Sequence, residues 1–420
     1  MNVIILGGGI GGLTTALALN AAGIACRVYE AVSEIRPLGV GINLLPHSVR
    51  ELTDLGLLPK LESMGIRTQE VVYATKRGEI VWREPRGEYA GYRWPQFSVH
   101  RGQLQMMLYE AVLERMGKEA VATRCEAVNI TQDAGSATVH FKARNGVTPP
   151  PATGDIVIAC DGIHSKIRGL FYPDEGAPKW SRRILWRGTT IGKPFLSGAS
   201  MVLAGHAWQK WVTYPIRNLD NGLQVINWIA ERTFDEHSMH APEDWSRPGR
   251  LEDFLPAFED WNFPWMPVPA IVRASDKIFE YPMSDRDAVS SWVFGRVALL
   301  GDAAHAMYPI GSNGASQAVL DARHLAYELA TRANIDEALA AYDAIRRPVT
   351  TKLLEMTRAE GPDAILKEVE ERAPDGFDDL DRVVSPAERE AFAARYKNAA
   401  GFDRETLNSK PSLNPPKRAA

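Results

Sequence analysis

The chain begins with a strand, a glycine-rich turn, a helix and a second strand, an order that restricts the possible fold more than any later segment. Residues 1–6 form a short apolar run rich in β-branched side chains and predict a buried parallel strand. The turn Gly-Gly-Gly-Ile-Gly-Gly occupies residues 7–12, and residues 13–22 are rich in Ala and Leu, which predicts a helix. Residues 25–30 then predict a second strand that ends in Glu30.

Each part of this G-x-G-x-x-G pattern has a physical role in binding a dinucleotide. Gly7 permits the tight turn, Gly9 lets the backbone approach a pyrophosphate, and Gly12 lets the helix pack closely on the strand. Glu30 follows Gly12 by 18 residues, close to the spacing of an acid that binds a ribose hydroxyl. The context favours a dinucleotide site over a glycine-rich turn without a ligand, but the pattern alone does not separate NAD from FAD.

Composition excludes several other classes of protein. The 420 residues suggest two or three domains, and 52 acidic against 48 basic residues leave no basic surface of the kind expected for nucleic-acid binding. The three cysteines are widely spaced, so we expect reduced thiols and a cytoplasmic location rather than disulfides or a zinc site. The sequence has no 18-residue apolar run, so we expect no membrane span, and it has no secretion signal at its start. His237 and His240 lack further ligands nearby, so we expect no metal site.

The middle of the chain has a different character. Residues 173–290 contain eight of the eleven tryptophans and several alternating segments, which predict a separate antiparallel or mixed sheet that covers a planar substrate. Residues 295–300 then return to the buried-strand pattern and precede Asp302 and a second glycine-rich loop. Residues 335–398 are helical in pattern, and the proline-containing segment 401–420 predicts a disordered tail.

Three separated motifs follow one another along the chain: Gly7 to Gly12, then Asp161-Gly162 with Ser165 and Arg168, then Gly301-Asp302 with its glycine loop. In this order they resemble the motifs of the single-component (class A) FAD-dependent aromatic hydroxylases, typified by p-hydroxybenzoate and salicylate hydroxylases. The resemblance covers roughly residues 1–360. A narrower subfamily resemblance, to phenazine-carboxylate monooxygenases, is carried by residues 33–43, 98–102, 186–188 and 300–305.

The resemblance implies an α/β fold, in which a Rossmann-like FAD-binding domain carries an inserted mixed or antiparallel β-sheet substrate domain and a C-terminal helical region. The FAD-binding domain would comprise residues 1–72, 99–172 and 276–335. The substrate domain would comprise residues 73–98 and 173–275. Residues 336–400 would form the C-terminal helices and residues 401–420 the tail.

The resemblance also implies which residues hold FAD. Gly7, Gly9 and Gly12 would hold the pyrophosphate, Glu30 the ribose, and Arg101 with Gln105 the pyrophosphate and ribityl chain. Asp161 and Gly162 would serve both FAD and the nicotinamide donor, and Asp302 would bind a ribityl hydroxyl. Val40 would pass close to the flavin, which would be lined by Pro309, Gly311, Ser312, Asn313, Gly314 and Ala315. In that loop Asn313 and Gly314 depart from the G-x-G-x-N order usual in the family.

The implied reaction is hydroxylation of a small planar aromatic or N-heteroaromatic substrate with NAD(P)H and O₂, through a flavin C4a-hydroperoxide. It needs no side-chain nucleophile, and none is assigned. The single fingerprint implies that NADH or NADPH binds transiently. Three questions stay open: whether the substrate carries a carboxylate, whether decarboxylation accompanies hydroxylation, and whether the protein is a monomer or a homodimer. The alternatives are an FAD-dependent epoxidase or oxidase of the same fold and a non-catalytic flavin-binding sensor.

Candidate residues around the substrate are mostly aromatic. For each aromatic side chain, packing in the core is the alternative interpretation. Arg187 suits either a substrate carboxylate or a structural salt bridge, and His305 suits a structural role better than that of a base. The candidates for the substrate pocket are Trp186, Trp211, Tyr214, Met283, Pro309 and His47.

Overall fold

Two large β-sheets organise the computed structural model, which describes residues 1–143, 147–235 and 247–416. The first, here called the parallel sheet, has six strands, and the second, called the mixed sheet, has seven. In spatial order the parallel sheet contains Val293–Phe294, Val297–Leu299, Ile156–Ala159, Asn2–Leu6, Ala25–Tyr29 and Val121–Ala122. In spatial order the mixed sheet contains Ile278–Asp285, Lys179–Gly192, Gln224–Thr233, Gln209–Asn218, Ser200–His206, Glu70–Ala74 and Ile80–Pro85.

The first strand of the chain lies inside the parallel sheet. Asn2–Leu6 pairs in parallel with Ala25–Tyr29 on one side and with Ile156–Ala159 on the other, and Val297–Leu299 pairs in parallel with Ile156–Ala159. Both faces of the strand are covered, which explains its continuous apolar run. The carboxyl ends of these parallel strands meet at one edge, so the turns that follow Leu6, Ala159 and Leu299 come together.

The mixed sheet presents two different faces because side chains alternate along each strand. One face packs a tryptophan-rich core that includes Trp186, Trp211 and Trp228. The opposite face carries Leu185, Leu203, Val212 and other apolar residues. The tryptophans predicted for this sheet are therefore concentrated on the side away from Leu185.

Several domain boundaries predicted from sequence differ from the structure. Those after residues 72 and 98 each divide a strand, Glu70–Ala74 and Phe97–His100. Residues 276–335 were expected to belong entirely to the FAD-binding domain, but Ile278–Asp285 is a strand of the mixed sheet. It pairs with Lys179–Gly192, with Trp186 opposite Glu280. The sequence of such a strand does not indicate which sheet it joins, because its pairing partner lies far away along the chain.

Smaller sheets and the helices complete the fold. The helix Ile10–Ala21 packs against Gly314–Thr331 and Arg101–Met116 beside the parallel sheet. The small sheets are Gly41–Leu44 with Phe97–His100 and Ile66–Arg67, Ala127–Gln132 with Ala137–Phe141 and Ala152–Gly154, and Asn262–Phe263 with Met266–Pro267. The remaining α-helices are Pro46–Asp54, Leu58–Met64, Lys166–Phe171, Leu251–Phe254, Val268–Arg273, Asp302–His305, Ile335–Arg358, Ala364–Arg372, Leu380–Val383, Pro386–Ala400 and Arg404–Ser409. The 3₁₀ turns are Gly87–Ala90, Lys118–Ala120, Leu255–Phe258, Ile310–Ser312 and Gly361–Asp363.

Residues 401–416 are not the disordered tail that their composition predicts. Residues 401–416 include the helix Arg404–Ser409, and the side chains of Phe402 and Leu407 are buried. The Tyr92 hydroxyl donates to the Phe402 carbonyl at 2.8 Å. Residues 417–420 lie outside the described part of the chain. Polar residues and prolines dominate this segment, but two apolar side chains are enough to anchor it.

A helix that is to cross a membrane must be long and predominantly apolar. Among the described residues, no helix is both long enough and apolar enough to do so.

Replacing Phe402 by Ala should test how firmly the C-terminal segment is anchored. The Phe402 ring is 2 % exposed and stacks on His47 with ring centroids 5.0 Å apart. We expect its removal to lower the free energy of unfolding by about 3–5 kcal/mol, because a cavity replaces a buried ring. Denaturant unfolding of the two proteins measures the difference.

The control for this substitution is Ile191→Ala, which removes an apolar side chain that is 60 % exposed. It should change the free energy of unfolding by less than about 1 kcal/mol. Equal effects of the two substitutions would show that the end of the chain contributes no packing.

Candidate active site

A cavity of about 350 Å³ lies between the converging turns of the parallel sheet and the apolar face of the mixed sheet. It brings together residues from all three sequence motifs. The predicted cofactor residues that line it are Gly9, Arg101, Gly162, Asp302, Pro309, Gly311, Ser312, Asn313, Gly314 and Ala315. Those that lie behind its lining are Gly7, Gly12, Glu30, Val40, Gln105 and Asp161.

The first glycine turn is shaped by close backbone contacts. Gly7 has φ +106°, and a Cβ there would lie 2.3 Å from the Cys160 carbonyl oxygen. A Cβ on Gly12 would lie 2.0 Å from the Gly7 carbonyl oxygen. A Cβ on Gly9 would meet no atom within 4 Å. Packing therefore requires Gly7 and Gly12, whereas Gly9 faces open space in the cavity.

Glu30 and Gln105 hold this turn from behind. Glu30 Oε2 accepts from the Gly8 backbone N–H at 2.5 Å, and Gln105 Nε2 donates to the Gly8 carbonyl at 2.8 Å. The Val40 carbonyl accepts from the Arg101 backbone N–H at 2.8 Å. The Arg101 guanidinium lines the cavity and forms no ion pair with any described residue. This arrangement leaves a cation available beside the turn.

Asp161 and Gly162 differ in their surroundings. Asp161 accepts from the Ser165 hydroxyl at 2.6 Å and from the Lys166 backbone N–H at 2.9 Å, at the start of Lys166–Phe171. Burial raises the pKa of Asp161, although these hydrogen bonds oppose the rise. Gly162 has φ +82° and lines the cavity, with no atom within 4 Å of a Cβ built there. The carboxylate therefore stabilises a helix start, and the glycine keeps the cavity open.

Asp321 organises the third turn and was not identified from the sequence. Its Oδ2 accepts from the Gly301 backbone N–H at 3.1 Å and contacts His305 Nε2 at 2.5 Å, while its Oδ1 accepts from Arg346 Nε at 2.7 Å. Burial would raise the pKa of Asp321, but His305 and Arg346 outweigh it and lower the pKa to about 2. The contacts of His305 are those of a structural residue. The position of Asp321 directly beside the apolar residues Leu320 and Ala322 of the helix Gly314–Thr331 was the available signal.

Asp302 follows this turn and lines the cavity with an exposed side chain. No described residue forms a hydrogen bond or an ion pair with its carboxylate. Arg168 holds the short helix Asp302–His305 from the other side, because its Nη1 donates to the Ala304 carbonyl at 2.8 Å. Asp302 is therefore positioned by its neighbours and free to bind a ligand.

Tyr396 supports the glycine loop between residues 309 and 315 and was also missed. Its hydroxyl donates to the Ile310 carbonyl at 3.1 Å and accepts from Asn313 Nδ2 at 2.9 Å. Gly311 has φ +73°, and a Cβ there would lie 2.1 Å from the Tyr396 hydroxyl. The Asn313 side chain is thus engaged in the loop's own structure. Tyr396 lies far along the chain, so only the folded structure reveals the contact.

Two of the predicted substrate residues lie on the wrong face of the mixed sheet. Trp186 packs on Phe254 with ring centroids 5.0 Å apart, and Trp211 stacks on Trp228 at 5.4 Å. Neither lines the cavity. The neighbours of these tryptophans face it instead, because successive side chains of a strand point to opposite faces. The residues of the mixed sheet that line the cavity are Leu185, Arg187, Met201, Leu203, Val212, Tyr214, Ile229 and Glu231.

Met283 and His47 are also outside the cavity lining, whereas Tyr214 and Pro309 lie within it. Met283 is buried in the core formed by the apolar face of the mixed sheet. His47 contacts Gln317 Nε2 at 3.4 Å and stacks on Phe402, and burial lowers its pKa to about 3. Both side chains pack the interior, which corrects their assignment as substrate contacts.

Arg187 is a cation on the mixed-sheet side of the cavity. Its Nη2 donates to the Gly41 carbonyl at 3.1 Å, its Nε has no hydrogen-bond partner among the described residues, and its guanidinium lies 5.9 Å from the centre of the Tyr281 ring. Burial lowers the pKa of Arg187. No described carboxylate pairs with it, so the predicted structural salt bridge is not formed within the described chain. An anionic ligand would complete its environment.

A protein metal centre generally takes three or more side-chain ligands. No group of three or more His, Cys, Asp or Glu side chains that could hold a metal occurs in residues 1–143, 147–235 and 247–416. His237 and His240 lie outside these described ranges.

Comparison with known proteins identifies the family. Residues 1–190 and 266–357 match the family described as FAD binding domain. The chain is 42 % identical to phenazine 1,6-dicarboxylic acid hydroxylase PhzS of Lysobacter antibioticus, over 85 % of this chain and 89 % of that one. The chain belongs to the FAD-dependent aromatic hydroxylases.

Solved structures support the same family and confirm the α/β fold with its C-terminal helical region. Klebsiella pneumoniae HpxO complexed with FAD and uric acid matches with a TM-score of 0.75 and 25 % identity, over 98 % of this chain and 97 % of that one. A salicylate hydroxylase substrate complex matches in fold, with a TM-score of 0.73 and 22 % identity, over 98 % of this chain and 99 % of that one.

The cavity of the hydroxylase fits FAD. Open space in front of Gly9, Gly162 and Gly314 would admit a ligand close to the backbone in all three motifs. The N-terminus of the helix Ile10–Ala21 favours phosphate groups, and Arg101 adds a positive charge. These features together suit a dinucleotide with a flat head group.

Substituting Gly9 by Val should prevent the hydroxylase from retaining FAD without preventing folding. Gly9 has φ −78° and ψ −176°, which a side chain tolerates, and only the open cavity lies in front of it. Valine would occupy space that the pyrophosphate needs. The ratio of flavin absorbance to protein absorbance after purification should fall at least tenfold.

Gly169→Val is the matched control, because Gly169 also has no atom within 4 Å of a built Cβ but lies outside the cavity. It should retain wild-type flavin content. A Gly9→Val protein with full flavin content would contradict the assignment of the first turn to FAD.

Asp302, which follows the third turn, and Asp321, which holds that turn, should respond differently to substitution by Ala. Asp302→Ala should change the free energy of unfolding of the apoprotein by less than about 0.5 kcal/mol, because its carboxylate has no partner among the described residues. Asp321→Ala should cost about 3–5 kcal/mol, because it leaves His305 and Arg346 buried without their anion.

The Kd for FAD separates binding from folding in this pair. Asp302→Ala should raise it at least tenfold, as expected for a lost hydrogen bond to a charged group worth about 1.5–3 kcal/mol. Unchanged FAD affinity in a folded Asp302→Ala protein would remove Asp302 from the cofactor site.

Proposed function

We propose that this hydroxylase uses NAD(P)H and O₂ to hydroxylate a planar N-heteroaromatic carboxylate of the phenazine-carboxylate class. The observation that carries the proposal is Arg187, a cation that lines the FAD cavity beside apolar side chains of the mixed sheet and has no carboxylate partner among the described residues. The name of the 42 % identical relative, a phenazine dicarboxylic acid hydroxylase, supports this substrate class. Bound FAD supplies the redox chemistry that activates O₂ and delivers one oxygen atom to the ring.

The residues of the chain bind and orient the substrate. Leu203, Val212 and Ile229 offer a flat apolar surface to the ring and keep water away from it. The Arg187 guanidinium would pair with the ring carboxylate and so fix which edge of the ring faces the cofactor. The Tyr214 hydroxyl, which interacts with Arg187, would hold that guanidinium in place.

The nicotinamide donor would bind only transiently. The sequence contains one G-x-G-x-x-G fingerprint, and its turn is assigned here to FAD. A second, permanent dinucleotide site of the same kind has no counterpart in the sequence. NADH and NADPH are therefore both to be tested as reductants.

The decisive experiment measures NADH and NADPH oxidation by the FAD-loaded enzyme with and without phenazine-1-carboxylate. We expect the ring to accelerate oxidation and to acquire one atom of ¹⁸O from ¹⁸O₂, as determined by mass spectrometry. Loss of the carboxylate from the product would show accompanying decarboxylation. Oxidation that is equally fast without the ring, with hydrogen peroxide as the product, would instead identify an oxidase.

Arg187→Met should selectively weaken the binding of ring carboxylates. Methionine keeps the apolar packing of the side chain but removes the charge. We expect the Kd of phenazine-1-carboxylate to rise about 10–100-fold, equivalent to about 1.5–3 kcal/mol for a charged hydrogen bond. Perturbation of the flavin absorbance on titration of the oxidised enzyme reports this Kd.

Unsubstituted phenazine is the matched ligand for this test, because it lacks the carboxylate. Its Kd should change less than threefold in Arg187→Met. If both ligands lose affinity equally, Arg187 shapes the cavity without binding the carboxylate.

A further inference from the structure

A cluster of buried charges lies at another part of the cavity wall and is not used by the proposed reaction. Lys210 Nζ lies 2.8 Å from Asp363 Oδ2, 3.9 Å from Glu231 Oε1 and 4.0 Å from Glu360 Oε2. Arg183 Nη1 lies 3.3 Å from Glu231 Oε1, and Arg183 also pairs with Glu360. These five side chains, here called the acidic cluster, contain two cations and three carboxylates. With every carboxylate ionised, the cluster carries one surplus negative charge.

Two carboxylate oxygens of the acidic cluster lack hydrogen bonds. Asp363 Oδ1 is buried and has no hydrogen-bond partner among the described residues, and Glu231 Oε1, although it forms ion pairs with Arg183 and Lys210, likewise accepts no hydrogen bond from them. The side chains of Glu231 and Asp363 are 6 % and 4 % exposed, and both residues line the same cavity as Arg187. A buried acceptor without a donor is costly, so these oxygens indicate where a ligand would donate a hydrogen bond.

The strand register places this acceptor end away from Arg187. Arg187 lies opposite Ile229, and Glu231 follows Ile229 by two residues and lies opposite Leu185. Glu231 and Ile229 therefore face the same side, about 7 Å apart along the strand. Val212 lies opposite Ile229 on the side away from Arg187 and extends the apolar surface of the cavity wall.

We propose that this cavity selects a ring with a carboxylate at the Arg187 end and an N–H or O–H donor at the Glu231–Asp363 end, and that it discriminates against a second carboxylate there. This specificity rests on the proposed function. A donor would supply the hydrogen bonds that these oxygens lack and reduce the effect of the surplus charge, whereas a second anion would face buried carboxylates. The relative from Lysobacter antibioticus is named for a dicarboxylic acid, so the acidic cluster predicts a different preference for this chain.

The test compares three phenazines that differ at one ring position. Phenazine-1-carboxylate, its 6-amino derivative and phenazine-1,6-dicarboxylate are titrated into the oxidised FAD-loaded enzyme at pH 8, without NAD(P)H, while the flavin absorbance is followed. The amino compound should bind at least tenfold more tightly than the dicarboxylate, with phenazine-1-carboxylate between them. A dicarboxylate that binds as tightly as phenazine-1-carboxylate would overturn the proposal.

Variants then assign the discrimination to particular side chains. Asp363→Asn and Glu231→Gln should each tighten the binding of the dicarboxylate at least fivefold and reduce the preference for the amino compound. Glu360→Gln is the matched control, because it removes the same charge from the acidic cluster but does not line the cavity. It should change the ratio of the Kd values less than twofold. An equal change in Glu360→Gln would overturn direct recognition by Glu231 and Asp363.

The same experiment separates failure of this inference from failure of the proposed function. If phenazine-1-carboxylate binds and is hydroxylated but the three rings bind alike, only the selectivity is wrong. If none of the rings perturbs the flavin or accelerates NAD(P)H oxidation, the proposed substrate class is wrong, and the specificity inferred from it fails as well. The wild-type ligand series decides the question even if a variant fails to fold or to retain FAD.

Discussion

The position of Asn2–Leu6 between two parallel neighbours decides where the rest of the site can be. Because Ile156–Ala159 and Val297–Leu299 run in the same direction, three turns that are about 150 residues apart in sequence reach one edge of the parallel sheet. Each turn contributes something that the others lack: the open space of Gly9, the positive φ of Gly162, and the unpartnered carboxylate of Asp302. None of these turns alone would accommodate an extended dinucleotide.

The third turn is held by charge rather than by apolar packing. Asp321 gathers Gly301, His305 and Arg346, and its low pKa shows that its anionic form is the one the fold stabilises. Buried ion pairs of this kind add little net stability compared with apolar packing, but breaking one is costly, so they favour a single arrangement. Arg346 belongs to Ile335–Arg358, and through it a C-terminal helix is tied to the position of Asp302.

The sequence predicted the local features well and the long-range ones poorly. The first strand, its turn and its helix were predictable because glycine spacing and apolar runs act within a few residues. The prediction that Trp186 and Trp211 line the substrate pocket was wrong. The alternation of side chains along a strand shows that the sheet has two faces, but it does not show which face meets the cavity. Tyr396 and Asp321 were missed because their partners are brought near only by folding. The anchored end of the chain was missed because composition outweighed two apolar residues.

The same alternation gives the cavity its chemical character. The strands that place Trp186 and Trp211 in the core must place their neighbours Leu185, Arg187 and Val212 towards the cavity. The mixed sheet therefore separates two tasks, with wide aromatic rings giving rigidity on one face and smaller side chains leaving room on the other. Charged groups on that second face are costly to bury, and a ligand of complementary charge offsets the cost. The presence of both an unpartnered cation and a separate acidic cluster in one cavity is therefore better explained by recognition of a ligand than by a contribution to the stability of the fold.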